Sequence, residues 1–335
     1  MSSFRSKQAN MHVMPRYKKR IILFHGNCID GWMATFIAHT ILVQDGMVRQ
    51  YPVAPGQPGT WAAAEQVMRN ADVLLLDVSV PQETRHKWLN LGALSVNCID
   101  HHASAVDHWP ADACPIHVES CAALQTWHHF YPQQEVPAWL HHIDRVDRWD
   151  NPTNEDRSIR EVLNIIAHKP VQRKFDEAFA MTREFIEKMS TPEGVAATIA
   201  EGREILRKKD AALFPILSKG KVTKMTPELQ AKWNLPASWA TIITFVIDNT
   251  DLSFDSTEAA HQVFTYYPEV DAFINYRRKT FLEKGDMAVE KTVYTYSARS
   301  HGFNLTDGDS IFKGHPTSAG ASLVLEEVAV LPFVK

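Results

Sequence analysis

Along the first hundred residues, short apolar runs alternate with stretches whose apolar spacing is helical. Residues 21–24, 47–53, 73–78 and 94–99 read as strands. Between them, 32–42 places Met33, Phe36, Ile37 and Ile41 near one helical face, 61–70 is helical, and 81–91 is a helix with a proline in its first turn. This alternation predicts an α/β fold, with a doubly wound parallel sheet and helices on both faces. Ligands of such sheets bind outside the carboxyl ends of the strands. His25, Asp77 and the tripeptide Asp100-His101-His102 all fall there.

A helical middle follows. Phe175, Phe179, Phe185, Ile186 and Met189 form a core-facing stripe, and Thr191-Pro192-Glu193 opens another helix running toward Lys208. Residues 218–236 are basic and punctuated by proline, as in a connector. Beyond them 241–247, 272–276, 292–298 and 321–325 read as strands of a smaller α/β domain with a mixed sheet. The expected organisation is a basic tail over 1–20, a first domain over 21–190, a helical linker over 191–239 and a second domain over 240–335.

Hydrophobic content of 45% and charge content of 22% are those of a globular protein, and the net charge of −4 gives no general attraction to a nucleic-acid backbone. A long processive nuclease track is therefore not expected. None of the four cysteines forms a Cys-x-x-Cys pair, so reduced thiols and a cytoplasmic location are expected. No run is long enough to span a bilayer. The first 29 residues lack Asp and Glu but carry six Lys and Arg, which reads as a tail or as an organelle-targeting segment.

Five segments carry candidate chemistry. His25 to Gly31 is a turn that ends a strand and opens a helix, offering His25 and Asp30. Asp77 closes a very apolar strand, where a carboxylate is costly unless paired or bound to an ion; capping the next helix is its plainer role. Asp100-His101-His102 joins a carboxylate to two imidazoles, ligands that suit Mn²⁺, Fe²⁺ or Zn²⁺. His128-His129 and His141-His142 read as surface clusters, and Asp144 and Asp147 lie beside Arg145 and Arg148 as ligands or as a surface ion-pair network. The last segment holds Arg299 and then Lys313, Gly314 and His315, an anion-binding loop by composition, with Ser318-Ala319-Gly320 at a helix start.

Together these segments resemble the DHH phosphoesterase superfamily, named for its Asp-His-His motif, from His25 to about Leu325. The resemblance implies a two-ion Mn²⁺ or Mg²⁺ centre held by His25, Asp30, Asp77, His101 and an acid among Asp144 and Asp147, with Asp77 bridging and Asp144 preferred. It implies that His102 contacts the scissile phosphate, that Asp100 orients the imidazoles, and that Arg299, Lys313, Gly314 and His315 grip the far end of the substrate. The family's first motif has a carboxylate where this chain has Cys28, which weakens one ion position, and Phe312-Lys313 replaces two glycines. The implied activity is hydrolysis of short oligonucleotides, such as short RNA, or of small nucleotides, and a homodimer is compatible with it. The alternatives are a non-catalytic nucleotide- or RNA-binding subunit and an exopolyphosphatase.

Overall fold

The computed structural model describes residues 18–54, 58–106, 109, 117–232, 242–250, 254–283, 289–301, 304–305, 313–315 and 318–325. For 58, 104, 106, 229, 232, 279–283, 289–292, 313–315 and 318–325 the backbone alone is described. Residues 1–17, Cys114 and Phe312 lie outside the described residues.

The first sheet is built from β1 (Lys18–His25), β2 (Gly46–Val53), β3 (Ala71–Leu76) and β4 (Ser95–Ile99), all parallel, in the order β2-β1-β3-β4. Ile21, Ile22, Leu23 and Phe24 are consecutive and fully buried, so both faces of β1 are covered. The chain links these strands through α1 (Ile29–Leu42), the short α2 (Ala62–Glu65) and α3 (Gln82–Asn90). Trp32 on α1 meets Phe24 and Phe179, and its indole N–H donates to Thr182 Oγ1 at 2.9 Å. The expected helix over 61–70 shrinks to α2 and irregular turns, with Trp61 packing on Trp88. Lys18 to Arg20 join β1 rather than a tail, where Arg20 pairs with Asp45 through both terminal guanidinium nitrogens.

Helices α4 (Ala103–Val106), α5 (Ala122–Phe130), α6 (Ala138–Asp147), α7 (Asn154–Ala167), α8 (Phe175–Met189) and α9 (Pro192–Leu217) follow. Helix α9 runs nine residues past Lys208, through Pro215. The second sheet comprises β5 (Lys221–Lys224), β6 (Ile243–Asp248), β7 (Ala272–Glu283), β8 (Val289–Ser300), β9 (Lys313–His315) and β10 (Ser318–Leu325), in the order β5-β6-β7-β8-β10-β9. Among these described strands only β6 and β7 run parallel, so the sheet is mixed. Helices α10 (Pro227–Lys232) and α11 (Ser256–Tyr266) complete the described elements.

Two further expectations change. The connector over 218–236 contributes β5, an edge strand, because Val222 and Thr223 find a partner in β6. Ser318-Ala319-Gly320 does not open a helix: it starts β10, paired on one side with β8 and on the other with β9. The second sheet has its own core around Phe245, Ile247, Val263 and Phe273. No described helix is long and apolar enough to cross a membrane.

The two layers meet through ions. Arg157 and Arg160, one turn apart on α7, pair with Glu258 and Asp255 at the start of α11, and Lys209 on α9 pairs with Glu161. Behind them α7 and α9 cross closely at Gly202, where a β-carbon would overlap the Ser158 carbonyl. Gly202→Ala is therefore expected to lower unfolding free energy by about 1–3 kcal/mol, whereas Gly59→Ala, which meets nothing within 4 Å, should be neutral. Urea denaturation of both variants checks this.

Candidate metal centre

Strand register alone brings the first set of polar groups together. Phe24 pairs with Leu76, and Leu76 with Ile99. The next residue of each strand line, His25, Asp77 and Asp100, therefore emerges in one row across three neighbouring strands. The row sits where the strand order reverses between β1 and β3, the place where open parallel sheets bind ligands. Asp77 takes a left-handed backbone, φ 57°, while its N–H reaches the Ile99 carbonyl at 3.0 Å. Such a conformation is uncommon for a residue with a side chain and is found at sites where the surroundings hold it.

Asp77 is 1% exposed, and each of its oxygens faces an imidazole. Oδ2 lies 3.2 Å from His25 Nδ1 and Oδ1 lies 3.2 Å from His101 Nε2. The same His101 nitrogen is 3.3 Å from Asp147 Oδ2 and 3.5 Å from Asp30 Oδ2. Asp100 accepts from His102 Nδ1 at 2.7 Å and from the His101 N–H at 2.8 Å, so it fixes both histidines from behind.

Asp30 is placed by the turn after β1. A β-carbon at Gly31 would press on the His25 carbonyl, so glycine lets α1 begin directly beneath the strand end. Asp30 does not cap its own helix. Its two oxygens accept the N–H groups of Ala122 and Ala123, at 2.8 and 2.6 Å, and Asp144 accepts that of Cys121 at 2.7 Å. Helix α5 thus rests its first free N–H groups on two carboxylates.

Asp144, the acid preferred from the sequence, is engaged by groups outside the cluster. Its carboxylate also receives Arg148 Nε and a terminal nitrogen at 3.1 and 2.9 Å, and it does not join the cluster. Asp147, one turn further along α6, does. His142 is likewise no surface histidine: with Arg145 it holds Asp156, at 2.5 Å and 2.6 Å, and lines the same cleft. The Thr153–Asp156 capping box at the start of α7 was readable as Thr-x-x-Asp, but its link to His142 was not.

Among the described residues, three sets bring ligand atoms within 4.8 Å of one another inside each set: Asp77, Asp100, His101 and His102; His25, Cys28 and Asp77; Asp30, His101 and Asp147. Burial tends to raise every carboxyl here. For Asp30, with Asp77 and Asp147 adding their charge, it wins and holds the group well above the usual range. For Asp77 the two histidines reverse it, holding the group well below. Burial likewise pulls His101 down, but Asp147, Asp77 and Asp30 outweigh it and push it up to about 10. His102, desolvated but bonded to Asp100, rises to about 9. The ion-free cluster thus keeps protons where a cation would put charge. Asp100 Oδ2 and Asp147 Oδ2 are also buried without a hydrogen-bond partner. These carboxylates and imidazoles fit a divalent ion of the Mn²⁺, Fe²⁺ or Zn²⁺ type.

A cavity of about 490 Å³ opens over the cluster. His25, Cys28, Asp77, His102 and Asp147 line one part, and Ile143, Val146, Trp149, Ile159 and Leu163 an apolar part. Thr257, Ser297 and Arg299 face in from the second layer. Arg299 donates to Thr257 Oγ1 at 3.1 Å, and burial pulls its guanidinium down to about 10. Trp149 and Arg160, neither singled out in the sequence, also reach the cavity; Trp149 holds a left-handed φ of 57°. The backbone of Lys313, Gly314 and His315 forms β9, which runs beside α4, the helix that follows His102. His315 and Arg299 share one register row through Ser318.

No known protein-family profile matches the chain. A curated relative, the uncharacterized protein R106 of Acanthamoeba polyphaga mimivirus, is 25% identical over 141 residues, covering 38% of this chain and 33% of that protein. The chain thus matches about a third of that relative's length. Among solved structures, an exopolyphosphatase-related protein from Bacteroides fragilis aligns over 91% of this chain and 87% of its own, at 15% identity and a TM-score of 0.42. RecJ from Thermus thermophilus, in complex with Mn²⁺, aligns over 91% and 49%, at 12% identity and a TM-score of 0.39.

Two outcomes follow from the site's geometry. Asp147→Asn should weaken Mn²⁺ binding about 10–100-fold with little loss of stability, whereas Asp144→Asn should lower the melting temperature and leave Mn²⁺ affinity nearly unchanged. Because His101 is protonated well above pH 7 without an ion and must lose that proton to ligate, binding should tighten as pH rises. The gain is up to about tenfold per unit per displaced proton between roughly pH 6 and 9. Calorimetry in buffers of different ionisation enthalpy measures both the affinity and the protons released.

Proposed function

We propose that this chain is a divalent-metal-dependent phosphoesterase of the DHH type acting on short oligonucleotides or small nucleotides. The observation that carries this is the buried Asp77 carboxylate held between His25 and His101, with Asp30 and Asp147 beside it. When bound, Mn²⁺ or Mg²⁺ would supply Lewis-acid charge at a phosphoryl oxygen and lower the pKa of a water. His25, Asp30, Asp77, His101 and Asp147 would hold it.

The chain's other groups suit a phosphate ester stretched across the cavity. His102, fixed by Asp100 and protonated at neutral pH, presents a positive donor beside Asp77 that can bind a phosphoryl oxygen or deliver a proton to the leaving oxygen. Arg299 enters from the opposite layer and suits a second phosphate. Lys313, Gly314 and His315 belong to the same proposed end-binding region by their place beside α4.

A bare phosphate polymer is the other substrate such a centre could take. The apolar residues Ile143, Val146, Ile159 and Leu163, with the Trp149 ring, favour a nucleoside instead, since polyphosphate gains nothing from apolar contact.

Asp77→Asn and His101→Ala should each reduce Mn²⁺-dependent hydrolysis of short RNA, linear dinucleotides or 3′-phosphoadenosine 5′-phosphate by at least about a hundredfold in folded protein. Unchanged turnover in both would remove the reading. Trp149→Ala should raise KM for a dinucleotide by about 5–100-fold with a smaller change in kcat, from the loss of base stacking. Polyphosphate hydrolysis that exceeds dinucleotide hydrolysis and is indifferent to Trp149→Ala would favour the polymer.

A further inference from the structure

The cluster is not symmetric about Asp77. One side, among the described residues, offers oxygen and nitrogen: Asp30, His101 and Asp147. The other offers a sulfur, because Cys28 Sγ, a His25 ring nitrogen and an Asp77 oxygen lie within 4.8 Å of one another. Asp77 belongs to both sides, with Oδ2 toward His25 and Oδ1 toward His101.

Several features separate Cys28 from an ordinary buried thiol. It occupies the N-cap position of α1, where its sulfur meets the Gly31 backbone and also faces His25 and Asp77. It is half-buried and lines the cavity, whereas Cys98 and Cys121 are buried. Its neighbour Asn27 also lines the cavity, but its Oδ1 is engaged by His168 Nδ1 at 2.8 Å. Asp100 Oδ2 is buried without a hydrogen bond, and the buried Asp147 Oδ2 has His101 Nε2 3.3 Å away.

We propose that Cys28 ligates the ion position on the His25 side of Asp77 as a thiolate, making that position soft while its neighbour stays hard. Ligation releases the thiol proton to solvent and forms one metal–sulfur bond, with no change of oxidation state. Thiolate and imidazole donors favour Zn²⁺, Fe²⁺ or Co²⁺, whereas two carboxylates and an imidazole suit Mn²⁺ or Mg²⁺. The enzyme would then be a mixed-metal one, with a tightly held thiophilic ion at Cys28 and an exchangeable one at Asp30. This rests on the metal-dependent reading above and adds to it the identity of the donors.

Cobalt reports the sulfur directly. The full chain is titrated with Co²⁺ under reducing conditions while its near-ultraviolet absorption is followed, alongside folded Cys28→Ser and Cys28→Asp proteins. The wild type should show a thiolate-to-cobalt charge-transfer band of one thiolate per chain. Both variants should lack it, while Cys28→Asp still binds Co²⁺ and shows the weak visible bands of oxygen and nitrogen ligation. In competition, the ratio of Zn²⁺ to Mn²⁺ affinity should fall at least about tenfold in Cys28→Asp. Co²⁺ bound by the wild type without the band, or a band that persists in Cys28→Ser, overturns the proposal and leaves the phosphoesterase reading standing. A wild type that binds no Co²⁺, Zn²⁺ or Mn²⁺ overturns both.

Discussion

Everything at this site depends on three parallel strands ending in the same register. A buried carboxylate is tolerable only when opposite charge stands close by, and Asp77 has an imidazole on each oxygen because β1 and β4 stop level with β3. The apolar residues of the strands, fully buried at Ile21 to Phe24 and at Leu75 and Leu76, fix that register. Slipping one strand by a residue would bury polar groups and dismantle the row. Core packing and site chemistry are in this sense one constraint.

The helices then serve the row. Gly31 allows α1 to start under His25, and Asp30 uses its oxygens to seat α5 while facing His101. One carboxylate thereby links a helix N-terminus to the cluster, so the cluster's charge and the position of α5 are coupled. Opposite them, the ion pairs of Arg157 and Arg160 with Glu258 and Asp255 hold the second layer where Arg299 can face the cavity. Desolvated pairs of this kind contribute little net stability when intact but cost much when broken, which suits them to fixing an orientation.

The sequence made the row legible for a simple reason: an apolar run that stops abruptly at a His or Asp marks a strand end, and strand ends of a parallel sheet share one edge. His25, Asp77 and Asp100 to His102 were all visible in this way. The choice between Asp144 and Asp147 was not. Both lie on α6 one turn apart, and what separates them is the N-terminus of α5, which claims Asp144. Nothing local records that contact. The same holds for β10, where Ser-Ala-Gly carries no period and pairing with β8 and β9 decides the conformation. It holds too for β5, four residues long and defined by its neighbour. Trp149 and His142 were hidden because their roles arise from the cavity, which no single segment encodes.

The most direct test of the central claim is an anomalous-difference map from crystals of this protein soaked in Mn²⁺. Density is expected against Asp77, with His101, Asp30 and Asp147 as ligands of an ion on one side and His25 on the other. A map with no density within ligand distance of Asp77, or with the ion seated elsewhere while these side chains keep their mutual contacts, would contradict it.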